Sequence, residues 1–275
     1  MEKNVTYCLA ALAIIVIVAG SVFIIFGGND DDKTEAPTGS DTLLTVLGNA
    51  NLDETIDEKD VEAIESIIEL GGTVADYPYA DANNDGIIDS SDVEFVKKLA
   101  AKEEMVIYYY NVDGDVASLH YPVTGTIIAT YNKTLEACRT LGLSSQIIAV
   151  DDMIYDWPTY FPEFQDLPSV GNRMTPSVET ILELDPDAYL CGTKKWFGPE
   201  LESTIGDVVD IIRLPTWEEG QVLSGMVTLG FITQHESDAS EYMAWANKIL
   251  DAVDNVVSGI AESDRPTVLV LDANS

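Results

Sequence analysis

The sequence predicts an α/β domain preceded by a small helical module built from two copies of one loop-and-helix unit. Three observations predict it. Acidic loops recur at a period of about 32 residues between 43 and 102. From residue 105 onward, short apolar runs alternate with helix-like segments. A long uncharged stretch near the N-terminus belongs to neither pattern.

Taken in chain order, residues 1–28 come first. Cys8 to Phe26 are nineteen residues without a charge. As a helix they span about 28 Å, close to the roughly 30 Å hydrocarbon core of a bilayer. The run is longer than the apolar region of a cleavable signal, and Ile-Ile-Phe-Gly-Gly is a poor cleavage site. Cys8 stands at its beginning, where a lipoprotein signal would place a cysteine at the end. The expectation is a single-pass signal anchor, with Lys3 inside and the acidic residues after Gly28 outside, so that the bulk of the chain is extracellular. Residues 29–42 are acidic and lack large apolar groups, which reads as a linker.

The second element, residues 43–102, carries the repeat. In its second copy Asp81, Asn83, Asp85, Asp89 and Asp92 stand at positions 1, 3, 5, 9 and 12 of a calcium loop, with Gly86 at the tight-turn position 6. Calcium takes six to eight hard oxygens, and alternate residues of a curled loop aim theirs at one centre; Ile87 supplies its carbonyl from position 7. The first copy offers Asn49, Asn51, Asp53, Asp57 and Asp60, with Thr55 supplying the carbonyl. Glu54 replaces the turn glycine there, which predicts a weaker site. Ile56 and Ile88, at position 8 of each loop, are expected to pack between the paired loops. A terminal Asp in place of the Glu of EF-hands, with one helix per loop, resembles dockerin domains over residues 46–101. The resemblance implies a small all-α fold, two bound Ca2+ ions and a cohesin-type protein partner.

Residues 105–275 form the third element. MVIYYYNV, TIIATY, IIAVDD, AYLCG and VVDIIRLP read as strands, and KTLEACRTLGL, TPSVETILELDP and GPELESTIG as the helices between them. Two helices follow, EEGQVLSGMVTLGFITQ and a second of about 27 residues beginning at Glu236, before TVLVLDA opens a strand. In an open α/β sheet, ligands sit beyond the carboxyl ends of the strands. That rule selects Tyr131, Asn132, Asp152, Tyr155, Trp157, Arg173, Lys194, Lys195, Trp196 and Trp217. The aromatics offer apolar faces, and the three cations attract an anionic ligand.

The phrases TYNKTLEACRTLGLSSQIIAVDD, YFPEFQDLPSVGNRMTPSVETILELDPDAYLCG and SDRPTVLVL resemble class III solute-binding proteins, the receptors of ABC importers for ferric siderophores, haem and cobalamin. The resemblance spans roughly residues 125–271. It implies a Rossmann-like lobe, a long interlobe helix, a metal chelate as ligand and an ABC permease as partner. It also implies that Glu179, in PSVETIL, docks onto permease arginines. Members of that family continue for over a hundred residues beyond the first strand of the second lobe, so this chain reads as truncated in lobe 2.

Composition closes some alternatives. With 48 carboxylates against 14 basic groups and a formal charge of −34, the chain repels polyanions, so no nucleic-acid partner is expected. Cys8, Cys138 and Cys191 make no disulfide framework, and Cys138 and Cys191 read as small buried residues. His120 and His235 are isolated, and no GxSxG, P-loop, CxxC or HExxH occurs, so no enzyme chemistry is indicated. Two functions from different classes stand side by side: an extracellular chelate receptor of an importer, and a cell-surface interaction protein that uses the loop module to bind a cohesin-type partner.

Overall fold

The computed structural model describes residues 42–218 and 220–268. The expected anchor, most of the linker, and the strand TVLVLDA from residue 269 onward lie outside the described residues. Among the described residues, no helix is long and apolar enough to cross a membrane.

Each calcium-type loop runs into a helix that its own acids cap. Asp57 accepts from the Lys59 amide at 2.8 Å and Asp60 from the Asp57 amide at 2.9 Å, which starts α1 (Glu58–Leu70). Asp89 and Asp92 do the same at 2.7 and 2.9 Å for α2 (Ser90–Ala100). Such reciprocal capping satisfies amides that the first turn would leave unpaired. Val61, Ile64 and Ile67 of α1 and Val93, Val96 and Leu99 of α2 turn into the core at helical spacing. Ile56 is buried in that core and Ile88 packs against it half-buried. The module is not helical throughout. Val46 bridges antiparallel to Tyr109, so the segment before the first loop joins a sheet edge.

That edge belongs to a hairpin of β1 (Met105–Tyr110) and β2 (Val116–Tyr121), paired in register from Met105↔Tyr121 to Tyr110↔Val116. Sequence reading misses β2, because VASLHY is mostly exposed and only Leu119 and Tyr121 reach the core. The Asn111 side chain closes the turn by accepting from the amides of Asp113 and Asp115.

The central sheet holds β3 (Ile127–Ala129), β4 (Ile147–Ala149), β7 (Ala188–Cys191) and β8 (Asp210–Arg213) in the order β4-β3-β7-β8, every neighbour parallel. Crossovers carry α3 (Asn132–Thr140), a two-residue hairpin of β5 (Gly171–Asn172) and β6 (Thr175–Pro176), α4 (Val178–Leu184) and α5 (Leu201–Ile205). These strands are apolar on both faces, as a covered parallel sheet requires. α6 (Val222–Ile232) is buried almost all round. α7 spans Glu236–Val257, twenty-two residues rather than the expected 27, because Ser258 and Gly259 end it. From Trp245 onward it presents Trp245, Ile249, Leu250, Val253 and Val256 to solvent. Cys138 and Cys191 are buried without a disulfide, as expected.

One hydrophobic cluster runs without interruption from Leu44, Ile64 and Val96, through Tyr109 of the hairpin, to Leu135, Leu190 and Met243. The loop module and the α/β layers therefore share a core.

Candidate functional site

Every parallel strand ends on the same side, so residues 130–131, 150–152, 192–198 and 214–217 converge there. Asp151 follows β4 and is buried; it accepts from the Met153 amide at 2.8 Å and closely from the Tyr131 amide. That second bond holds Tyr131 at φ +78°, a backbone conformation unusual for an aromatic residue. Burial pushes the Asp151 carboxyl above its ordinary range, against the pull of the two amides and of Arg173.

The held Tyr131 ring meets Phe197 at 5.2 Å and Trp217 at 6.0 Å, both edge-on. Arg173 reaches over from the β5–β6 turn, its guanidinium carbon 5.3 Å from the Tyr131 ring centre and 5.7 Å from that of Phe197. Its Nη1 donates to the Met153 sulfur, a weak acceptor, and its Nε is buried without a partner. Gly192 makes this closeness possible: a Cβ there would stand 2.8 Å from the Phe197 ring.

A fully buried arginine, Arg213 at the end of β8, fixes the 192–198 loop from below. Its Nε and Nη2 fork onto the Glu202 carboxylate at 2.5 and 3.0 Å. Nη1 donates to the carbonyls of Gly192 (2.9 Å) and Phe197 (2.6 Å), and Nη2 to that of Gly198 (2.8 Å). All five guanidinium donors are used. Burial disfavours ionisation of Glu202, but the arginine outweighs it and holds that carboxyl below its ordinary range.

Of the ten residues the sequence selects, the structure brings Tyr131, Arg173 and Trp217 into one cluster. Asn132 opens α3 beside them. Lys195 lies over its neighbour Trp196, 5.0 Å from the ring centre. The others are turned to different partners. Lys194 pairs with Asp115 of the β1–β2 turn at 3.0 Å. Asp152 accepts from Ser169, Tyr155 donates to the Leu167 carbonyl, and Trp157 packs edge-on against Tyr160. Sequence reading missed Asp151, Phe197 and Arg213. Asp151 was within reach, one position before the chosen Asp152 at the same strand end, whereas Arg213 carries no local signal. Beyond Trp217, between α3, α6 and α7, lies a cavity of 330 Å³ lined by Lys133, Thr216, Val222, Met226 and Tyr242. Glu179 sits exposed in the first turn of α4.

The two acidic loops share a set of equivalent amide-to-side-chain bonds. Asp53 and Asp85 amides donate to Asn49 and Asp81 at 3.1 and 3.0 Å, and to Asn51 and Asn83 at 3.0 and 2.9 Å. Asn51 and Asn83 amides donate to Asp60 and Asp92 at 3.2 and 3.1 Å. Thr55 and Ile87 amides donate to Asp53 and Asp85 at 2.8 and 2.9 Å. The loops differ at position 6: Gly86 has φ +88°, while Glu54 is not among the residues with positive φ. The two loops therefore differ in backbone conformation at position 6. Among the described residues, no three His, Cys, Asp or Glu side chains stand together as a ready metal cage. The carboxylates instead grip their own loop amides.

The donor set nevertheless fits a hard divalent cation. Asp60, Asp81 and Asp92 are buried, and none makes an ion pair with a lysine or arginine among the described residues. Burial, which outweighs their amide bonds, raises all three carboxyls, Asp60 from 3.8 to about 6. Buried acids of this kind are relieved by a proton or by a metal. For Asp60 the folded form binds the proton more tightly than the unfolded chain does. The contribution of Asp60 to metal-free stability is therefore fully present below about pH 4 and is lost as pH rises through about 6. Thermal melts in EGTA are expected to show a higher midpoint at pH 4.5 than at pH 7.5. With calcium that order shrinks or inverts, because the ion requires the carboxylate.

The strand-end cluster and its parallel sheet define a solute-binding lobe of α/β type. The chain belongs to the periplasmic binding protein family, which it matches over residues 127–275. Residues 47–99 match the dockerin type I domain, which implies calcium binding by that module. No curated protein matches the chain significantly. Among solved structures, it resembles a periplasmic solute binding protein of Veillonella parvula at 13% identity and TM-score 0.47, with 57% of this chain and 50% of that one covered. It also resembles the molybdate periplasmic binding protein of Haemophilus influenzae (16%, 0.46, 57% and 56%). A third is the periplasmic vitamin B12 binding protein of Vibrio cholerae (19%, 0.43, 50% and 52%). The chain spans about half the length of these structures. The family is one of non-enzymatic transport binding proteins.

Proposed function

We propose that this chain is a membrane-anchored, extracellular substrate-binding protein of an ABC importer. Its ligand is a metal chelate: a ferric siderophore, haem or cobalamin. The observation that carries the reading is Arg173: a cation lying against two aromatic rings at the strand ends, with a buried Nε that has no partner. A planar or aromatic anion fits this arrangement, stacking on Tyr131 or Trp217 while it pairs with the guanidinium charge. Glu179 is the contact offered to the permease. Cys8 to Phe26 is the single-pass anchor that keeps the lobe at the outer membrane face. Calcium occupies both loops, through Asn49, Asn51, Asp53, Thr55, Asp57 and Asp60 in the first and Asp81, Asn83, Asp85, Ile87, Asp89 and Asp92 in the second.

Calorimetric titration of the chain with ferric siderophores, haem and cobalamin, with and without calcium, tests the reading. Micromolar binding of one of them is expected, and Arg173→Gln is expected to weaken it roughly 10- to 100-fold, the worth of a charge-assisted bond. No binding by any chelate under either condition removes the receptor assignment. The dockerin match favours a second reading, in which the module docks onto a cohesin-type protein at the cell surface. Retention of the chain on immobilised cohesins, in calcium and not in EGTA, distinguishes it.

A further inference from the structure

We propose that calcium in the first loop and the geometry of the strand-end cluster are thermodynamically linked, with Tyr109 as the connecting residue. The proposal rests on calcium binding by the loops and on the cluster as the solute site. The connection is a series of short bonds. The Asn49 side chain, at position 1 of the first loop, donates to the Leu44 carbonyl at 2.8 Å and to the Asp53 carbonyl at 2.7 Å, and the Leu44 amide donates back to Asp53 at 3.1 Å. Loop and incoming strand are thus one hydrogen-bonded piece.

That strand is zipped onto the hairpin. The Leu47 amide donates to the Tyr108 carbonyl at 2.8 Å and the Tyr110 amide to the Thr45 carbonyl at 2.9 Å. Between these bonds Tyr109 points inward, fully buried, and its hydroxyl accepts from the Arg213 amide at 3.1 Å. A second tie runs from the Val112 amide to the Arg213 carbonyl at 3.2 Å. Arg213 is the residue whose side chain holds the carbonyls of Gly192, Phe197 and Gly198, and Phe197 is a wall of the cluster. Thr45 adds an independent contact, its hydroxyl 3.1 Å from that of Thr228 on α6.

An ion that binds only the closed loop stabilises every group whose opening requires the loop to open, by a factor of 1 + [Ca]/Kd. The shared core joins the first loop, the hairpin and β8. The 192–198 loop, whose Phe197 packs in a second cluster, is tied to that unit by the Arg213 side chain. Whatever factor calcium adds to the affinity for solute, solute adds to the affinity for calcium, since linkage is reciprocal.

Hydrogen exchange of the full chain, held in a non-ionic detergent because of its apolar first segment, reads this directly without any solute. At calcium a hundred times its Kd, amides of residues 49–60 are expected to exchange about 100-fold more slowly than in EGTA. The Phe197 and Gly198 amides, bonded to the carbonyls of Thr193 and Arg173, are expected to slow as well. In Tyr109→Phe, which deletes one oxygen, the first group keeps its slowing and the second loses most of it. Slowing confined to the loops in the wild-type chain overturns the proposal, and equal slowing at Phe197 in Tyr109→Phe overturns the role of Tyr109. No slowing anywhere overturns calcium binding itself and the proposal with it. Loss of chelate binding in an otherwise normal exchange pattern touches only the solute reading.

Discussion

Replacing Arg213 by methionine is expected to cost about 3–5 kcal/mol of folding stability, the range found when one partner of a buried ion pair is removed. The side chain is fully buried, and its five donors serve Glu202 and three carbonyls. Glu202 keeps an edge toward solvent and rehydrates, so most of the cost falls on the orphaned carbonyls of Gly192, Phe197 and Gly198. Arg213→Lys restores the charge but not the planar fork, and recovers only a minor part. Urea denaturation checks both variants: the midpoint falls while the slope with denaturant stays unchanged. A midpoint within 1 M of wild type would mean that the loop finds other support.

Withdrawal of calcium has an effect of similar size. At a thousand times Kd, each bound ion contributes about 4 kcal/mol to the folded state. For a domain of this size a kilocalorie is worth roughly 2–4 °C in melting midpoint, so EGTA at pH 7.5 is expected to lower the midpoint by roughly 10 °C for one tight site. Asp92→Ala removes the bidentate position of the glycine-containing loop and is expected to abolish the larger share of that shift. Asp60→Ala, in the loop with Glu54 at position 6, abolishes the smaller share. Differential scanning calorimetry resolves the two, and a midpoint indifferent to EGTA removes the metal assignment.

The two acidic loops were legible in the sequence because their pattern is local. Ligand positions in a twelve-residue loop are fixed by spacing, and the caps at Asp57 and Asp89 follow from the same residues. The parallel strands were legible for a related reason: four-residue apolar runs such as AYLC need cover on both faces. Three features of the site were not. β2 shows only Leu119 and Tyr121 to the core, too little for a periodic signal. Val46 pairs with Tyr109, sixty-three positions away, a contact set by shared burial and by no motif. Arg213 reads as a polar residue closing a strand, and its role appears only when the 192–198 loop folds over it. Choosing residues by strand ends found Tyr131, Arg173 and Trp217. The same rule also drew in Lys194 and Trp157, because it fixes a side of the sheet and not a direction for each side chain.

The entry of the chain through Leu43–Leu47 has a mechanical consequence. The Leu43 carbonyl accepts closely from Ser224 on α6, and the next residues bond to the first loop on one side and to β1 on the other. Tension arriving along the chain that precedes Thr42 therefore meets the calcium module, the hairpin and α6 at a single anchorage. The lobe cannot be tugged away from the paired loops like a bead on a string; both give way together.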